Sequence, residues 1–202
     1  MAHPAGHTHA SAAQGAVHAA RDDFPVSRAR RFLEPGPIVL VSSHHAGRRN
    51  VMTLGWHMVL EFTPSLVGLM ISAGNHSFEM IRKSGECVIN VPTAALADTI
   101  VGIGNTSGRG TDKFAHFGLT AQKGSIVEAP LIGQCPVCFE CCLHDDTLVA
   151  ARNLFIVEVV KAHAAVTPEE IETLHYTGGG IFRRSGGALD KRALFRPEML
   201  EV

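Results

Sequence analysis

The chain has 202 residues, of which 46% are hydrophobic and 18% charged, and its formal net charge is −1. That is enough apolar material for a packed core and too little charge for a disordered chain. Lys and Arg are spread along its length, so no basic field for nucleic acid or an anionic membrane is expected.

Residues 1–22 are rich in Ala and His and poor in bulky apolar side chains. They cannot bury enough surface to offset the entropy of ordering, and a mobile tail is expected, followed by one domain over 23–202. His3, His7, His9 and His18 of this tail are irregularly spaced and lack a carboxylate partner, so no dedicated metal site is expected there. The first twenty residues lack a basic region followed by an apolar one, and no apolar run approaches the roughly 20 residues of a membrane span. No membrane segment is expected, and the expected location is the cytoplasm.

From Pro37 the pattern turns to short strands. Ile38 to Ser42 reads as a buried strand, the polar 44–49 stretch as a turn, and Asn50 to Trp56 as the returning strand. Met58 to Phe62 and Leu66 to Ser72 read as two more, separated by Thr63-Pro64. Phe78 to Gly85, preceded by Asn75-His76-Ser77, has the spacing of a short helix with Lys83 in its last turn and Gly85 as its stop. Cys87 to Val91 is a further strand, and Ala94 to Val101 suits a helix, with a turn region expected over Gly102 to Gly110. Strands are also expected near 119–122, 138–143 and 155–160. The sum is a mainly β fold with peripheral helices, best accommodated by a barrel.

Two polar stretches suit an anionic ligand. Ile71 to Ser77 places small and hydroxyl-bearing residues where a helix begins and backbone N–H groups lack partners, which favours a phosphate; an ordinary cap by Asn75 or Ser77 explains the same residues. Gly104 to Lys113 combines a flexible backbone with hydroxyls and cations, suited to a phosphate or to a loop of no special role. The spacings GxxxxGK[ST] and GxGxxG after a strand are lacking, so a nucleotide requires another scaffold. GxSxG is also absent, and Asp145-Asp146 reads as a solvated turn, so hydrolase chemistry finds no support and no catalytic acid or base is assigned.

The five cysteines are Cys87, Cys135, Cys138, Cys141 and Cys142. Cys135 and Cys138 have CxxC spacing, but a zinc site wants a second pair, and neighbours on a strand, such as Cys141 and Cys142, point to opposite faces. Buried free thiols are expected and no metal, with a redox pair at Cys135/Cys138 as the alternative. Trp56 is a candidate wall for a flat cofactor, though aromatics more often fill cores, and His57, His144 and His175 are read as structural.

Taken in order, Arg49 to Trp56, Ile71-Ser72 with Asn75-His76-Ser77, and Gly104-Asn105 with Asp112-Lys113-Phe114 resemble the flavin reductase-like, flavoredoxin-type family of FMN proteins, over about residues 24–185. The resemblance implies an FMN-binding split β-barrel of Greek-key type that forms homodimers, with FMN near each subunit interface. It implies that Asn50, Val51, Met52, Thr53 and Trp56 line the isoalloxazine, that Ser72, Ala73, Asn75, His76 and Ser77 hold ribityl and phosphate, and that Asn105, Ser107 and Lys113 close the site. The implied activity is that of an NAD(P)H-dependent flavin reductase passing electrons to flavin or a bound acceptor. The alternative is a flavoredoxin-type carrier served by a redox-protein partner. The thiol density of 135–142 departs from the family pattern and leaves an auxiliary redox role open.

Overall fold

The computed structural model describes residues 36–167, 170–187, 189–194 and 196; the expected tail over 1–22 and the expected start of the domain at 23 lie outside the described residues.

Strand β1 (Val39–His45) is apolar at successive positions because both of its faces are covered. Val39 and Val41 enter one core, Ile38 and Leu40 another, as the period of two requires. β2 (Arg48–Leu54) returns antiparallel, with Leu40 opposite Thr53 and His45 opposite Arg48. The turn expected over 44–49 is confined to Ala46 and Gly47, at φ 50° and 72°. Two left-handed residues give the hairpin a twist that matches its strands, so His44, His45, Arg48 and Arg49 are drawn into the ladder.

β3 (His57–Glu61) and β4 (Leu66–Met70) follow, then helix α1 (His76–Ser84), stopped by Gly85 at φ 70°. β5 (Glu86–Val91) leads through a 3-10 turn at Ala94–Leu96 into α2 (Ala97–Asn105). The helix expected to end at 101 thus runs on through Gly102 and Gly104. A Cβ on Gly102 would collide with the ring of Phe117, so this glycine serves close packing, not a turn, whereas one on Gly104 would make only ordinary contact with Thr53. The short α3 (Lys113–His116), the β6 (Ala121–Gln122) and β7 (Leu131–Ile132) pair, β8 (Val137–Asp145), α4 (Val149–Arg152), β9 (Leu154–Ala164) and the hairpin β10 (Leu174–Gly178) and β11 (Ile181–Arg184) complete the fold.

The main sheet is antiparallel with strand order β2-β1-β5-β8-β9-β4-β3. β2 and β3 stand at opposite edges, yet only Gly55 and Trp56 separate them. Three Cα steps span at most about 11 Å, whereas a flat sheet of this order is about 29 Å wide at ~4.8 Å per strand. The sheet is therefore rolled, and its seam lies between β2 and β3. This is the expected mainly β split barrel with peripheral helices.

Inside the roll, Val39, Val41, Met52, Leu54, Leu69 and Phe155 form one core, with Phe78 and Ile81 of α1 packed onto it. The Phe78 and Phe155 rings meet edge-on at 5.1 Å. Outside it, Ile100 and Ile103 of α2 pack with Leu40, Val51, Val88 and the segment carrying Val127 to Cys135.

Among the described residues, one charged side chain is wholly buried in this arrangement. Glu140 of β8 is 0% exposed. It accepts N–H bonds from Ser125 (2.9 Å), Ile126 (2.6 Å) and Val127 (2.9 Å), and His163 Nε2 lies 2.7 Å away. Burial works against its ionisation, yet the His163 bond and the three amides outweigh it and hold the carboxyl at about 2. The cysteine-dense strand is thus also the anchor of the 124–127 segment. No helix among the described residues is long and apolar enough to cross a membrane.

Candidate functional site

β2 runs between the start of α1 and the end of α2, and this brings the three polar stretches together. Asn50 is 2% exposed, and its Nδ2 donates to Ser77 Oγ at 2.9 Å. Its Oδ1 is the single buried side-chain oxygen or nitrogen among the described residues without a partner. Such an orphan carries a cost unless a ligand or water completes it. Asn75 occupies the cap position of α1 with extended backbone, but its side chain makes no capping bond. The ordinary-cap explanation of Asn75 is therefore not realised, and its side chain leaves the first-turn N–H groups of α1 uncapped.

Lys113 opens α3, whose first turn is capped by Asp112 Oδ1 accepting from Phe114 N and Ala115 N. The ammonium is buried and donates to Val51 O at 3.0 Å and Ile103 O at 2.9 Å, tying β2 to α2. One of its three hydrogens is left for a ligand. Burial pulls its pKa below the ordinary lysine value. His76 is also held below its ordinary 6.5, first by burial and then by Arg48, Arg109 and Lys113, so it is neutral at pH 7 and offers one donor and one acceptor.

Three adjoining cavities result. A polar one of about 250 Å³ is lined by Asn50, Met52, Asn75, His76, Ser77, Asn105, Ser107 and Lys113, which are predicted site residues, together with Gly74, Gly104, Thr106 and Gly108. An apolar one of about 510 Å³ shares Gly104 and Asn105 with it and contains the predicted Thr53 and Trp56 beside Ile38, Ile100, Tyr176 and Phe182. Thr53 Oγ1 donates to Ile100 O at 2.7 Å, and Trp56 stands half-exposed at the mouth. A third cavity, lined by Arg48, Arg49 and Arg109 among others, adjoins the polar one through Gly108.

Three predicted residues fall outside the linings. Val51 turns its side chain into the outer core and presents its carbonyl to Lys113. Ser72 and Ala73 lie exposed on the turn before α1, where Ser72 Oγ accepts from Gly74 N at 3.4 Å. Among the residues missing from the predicted site, Gly108 had a signal in its place within the Gly104 to Lys113 stretch, and a Cβ there would overlap the Asn50 amide, so the glycine keeps a cradle open. Tyr176 and Phe182, rings 5.0 Å apart, lie far along the chain in an unremarkable hairpin and gave none.

The thiols are segregated. Cys141 and Cys87 face each other across β8 and β5 inside the barrel, while Cys135, Cys138 and Cys142 belong to the outer core. Burial pushes Cys135 up to about 12 and Cys138 to about 11, which leaves little thiolate at neutral pH for exchange chemistry.

A rolled antiparallel sheet with an apolar cavity at its seam, joined to a polar, glycine-lined one, is the architecture of the FMN-binding split barrels. The chain belongs to the flavin reductase-like family, whose domain, described as a flavin reductase like domain, matches residues 30–183. Among curated relatives, protein YddH of Escherichia coli (strain K12) is 31% identical over 172 residues, covering 78% of this chain and 91% of that one. The FMN-binding domain of a flavin reductases-like enzyme from Shewanella baltica OS155 superimposes with a TM-score of 0.70 at 28% identity, covering 83% of this chain and 95% of that one. Flavoredoxin from Methanosarcina acetivorans shares the fold, with a TM-score of 0.75 at 22% identity over 90% of this chain and all (100%) of that one.

Proposed function

We propose that the protein binds FMN and acts as an NAD(P)H-dependent oxidoreductase of flavin reductase type. The observation that carries this is the groove itself: an apolar, aromatic-walled cavity joined through Gly104 and Asn105 to a polar one. The polar part combines the uncapped start of α1, the orphaned Asn50 Oδ1 and the glycine cradle at 108. A flat ring with a phosphorylated tail has these complementary halves. FMN, when bound, supplies the hydride and one-electron chemistry.

The residues of the chain bind and orient. Asn50 would accept a hydrogen bond from a ligand donor through Oδ1, while neutral His76 and the hydroxyl of Ser107 offer hydrogen bonds to the tail. Lys113 contributes positive charge from below. Thr53 lines the ring cavity with its hydroxyl committed to Ile100 O. No side chain is assigned a proton-transfer role.

Anaerobic stopped-flow mixing of the FMN-loaded protein with NADH and NADPH tests the reaction: bleaching of the flavin absorbance by one of them is expected. If neither bleaches it, the reductase reading fails and the electron-carrier reading takes its place. Lys113→Ala is expected to weaken FMN binding by about 1–3 kcal/mol, the usual cost of losing a charged partner. Fluorescence titration checks it, and unchanged affinity would show that Lys113 only braces the two carbonyls.

The homodimer belongs to the same reading. Met58, Val59 and Leu60 of β3, with Phe62 beyond it, are exposed, Val59 at 72% and Phe62 at 73%. An apolar edge strand in water invites pairing, and this one begins one residue after Trp56, which lines the ring cavity. Val59→Glu with Phe62→Glu should convert a dimer to a monomer in light scattering; a doubly substituted protein that keeps its mass would place the interface elsewhere.

A further inference from the structure

Among the described residues, none that lines the ring cavity is Asp, Glu, His, Lys or Arg. A guest that gains negative charge there meets no cation on the wall, and uncompensated charge in apolar surroundings is costly. Hydrogen-bond donors on that wall therefore decide how well such a guest is tolerated. The Thr53 hydroxyl already donates to Ile100 O, Trp56 already has a partner, and Asn105 is shared with the polar cavity. Tyr176 remains, and it is the only tyrosine of the chain.

The hairpin holds this phenol in place. Tyr176 of β10 lies opposite Phe182 of β11 with the rings 5.0 Å apart. Leu174 at the foot of the hairpin is buried in the outer core, and its carbonyl accepts from Ile38 N at 2.7 Å. Gly178, Gly179 and Gly180 have φ of 87°, 65° and 78°, a run that only glycine adopts freely. The chain thereby folds back so that Gly180 N donates to the Tyr176 hydroxyl oxygen at 3.2 Å. That bond anchors the oxygen and uses its acceptor side. The hydroxyl hydrogen has no acceptor among the described residues, and Tyr176 and Gly180 both line the cavity.

We infer that the Tyr176 hydroxyl donates a hydrogen bond to the ring of the bound flavin and stabilises its reduced form more than its oxidised form. The inference rests on the FMN reading and adds to it a residue that raises the reduction potential. Two-electron reduction enriches the ring in electron density, so its oxygen and nitrogen atoms become stronger acceptors, and a protein donor beside them tunes the couple. A hydrogen bond to a charged acceptor is roughly twice as strong as one to a neutral acceptor. The phenol itself gives up neither proton nor electron.

The test compares the full chain with Tyr176→Phe, which keeps a ring against Phe182 and removes only the hydroxyl. Fluorescence titration gives the affinity for oxidised FMN, and anaerobic equilibration with a reference dye gives the midpoint potential of bound FMN. The variant is expected to lose about tenfold more affinity for reduced than for oxidised FMN, read as a midpoint about 30 mV lower. Because the chain has one tyrosine, protein grown on 3-fluorotyrosine is altered at position 176 alone. Its more acidic phenol is a stronger donor, and the midpoint should rise. A tyrosine that only braces the hairpin would, on losing its bond from Gly180 N, weaken both forms of FMN alike. An unchanged or higher midpoint in Tyr176→Phe therefore overturns the inference, as does a fluorotyrosine protein whose midpoint does not rise, and in both cases the titration leaves the FMN reading standing. A wild-type chain that binds no FMN would sink both.

Discussion

Gly108→Ala should cost the protein most of its affinity for FMN while leaving the barrel folded. The new methyl would occupy the position of the Asn50 amide. Asn50 has little room to retreat: it is 2% exposed, bonded to Ser77, and set in a strand paired with β1 opposite Ser43. The 106–111 loop must lift instead, and it takes Ser107 away from the polar cavity. Overpacking of this kind costs about 1–3 kcal/mol, which, if it falls on the bound state, corresponds to roughly fivefold to 150-fold in binding. Gly110→Ala is the matched control, since open space surrounds that position and no change is expected. Fluorescence titration of both variants with FMN decides it, and equal affinities would refute the cradle.

Glu140→Ala should destabilise the fold severely. It strips three amides and His163 of their common acceptor and frees the 124–127 segment from the sheet. Each hydrogen bond lost to a charged acceptor costs about 1.5–3 kcal/mol, and several lost together should appear as a fall of roughly 10 °C in melting temperature. The effect depends on pH with a definite sign. The carboxyl is held at about 2 in the folded chain against an ordinary 4.5. The stabilisation is therefore fully present above 4.5 and is lost as pH falls from there through about 2. The gap between wild type and a Glu140→Gln variant should narrow over that window in urea titrations. A gap that is constant from pH 7 to 3 would mean that the charge contributes nothing.

Much of this architecture was legible in the residues. Ile38 to Val41 announced a strand covered on both faces, and Gly85 announced the end of α1, because such signals are local: an unbroken apolar run and a left-handed stop. The turn expected over 44–49 was legible, but its tightening to Ala46-Gly47 was not, since alanine gives no hint of a positive φ and only pairing along the whole hairpin imposes it. Gly102 and Gly104 read as turn residues, yet both lie within α2, and at Gly102 the close approach of the Phe117 ring requires a glycine.

The same division holds for the site. Asn75 to Ser77, Asn105, Ser107 and Lys113 were visible in two polar stretches suited to an anion, Asn50 was implied only by the family resemblance, and the fold gathers them in one cavity. Their division of labour was not visible: Lys113 is committed to two carbonyls, and Val51 contributes a backbone oxygen, not its side chain. Glu140 escaped because the cysteines around it pointed to thiol chemistry. The one acidic residue within the Val137 to Leu143 run was the better signal, for a carboxylate there demands several partners.

The two-residue bridge at Gly55 and Trp56 has a dynamic consequence. The rolled sheet is held across its opening by covalent chain at one level and not by a full ladder, so the β2 and β3 margins are where the barrel can breathe. A guest lodged beside Trp56 acts as a clasp on that opening. Deuterium uptake at the amides of β3 should slow when the guest is present, although those amides lie beyond its reach.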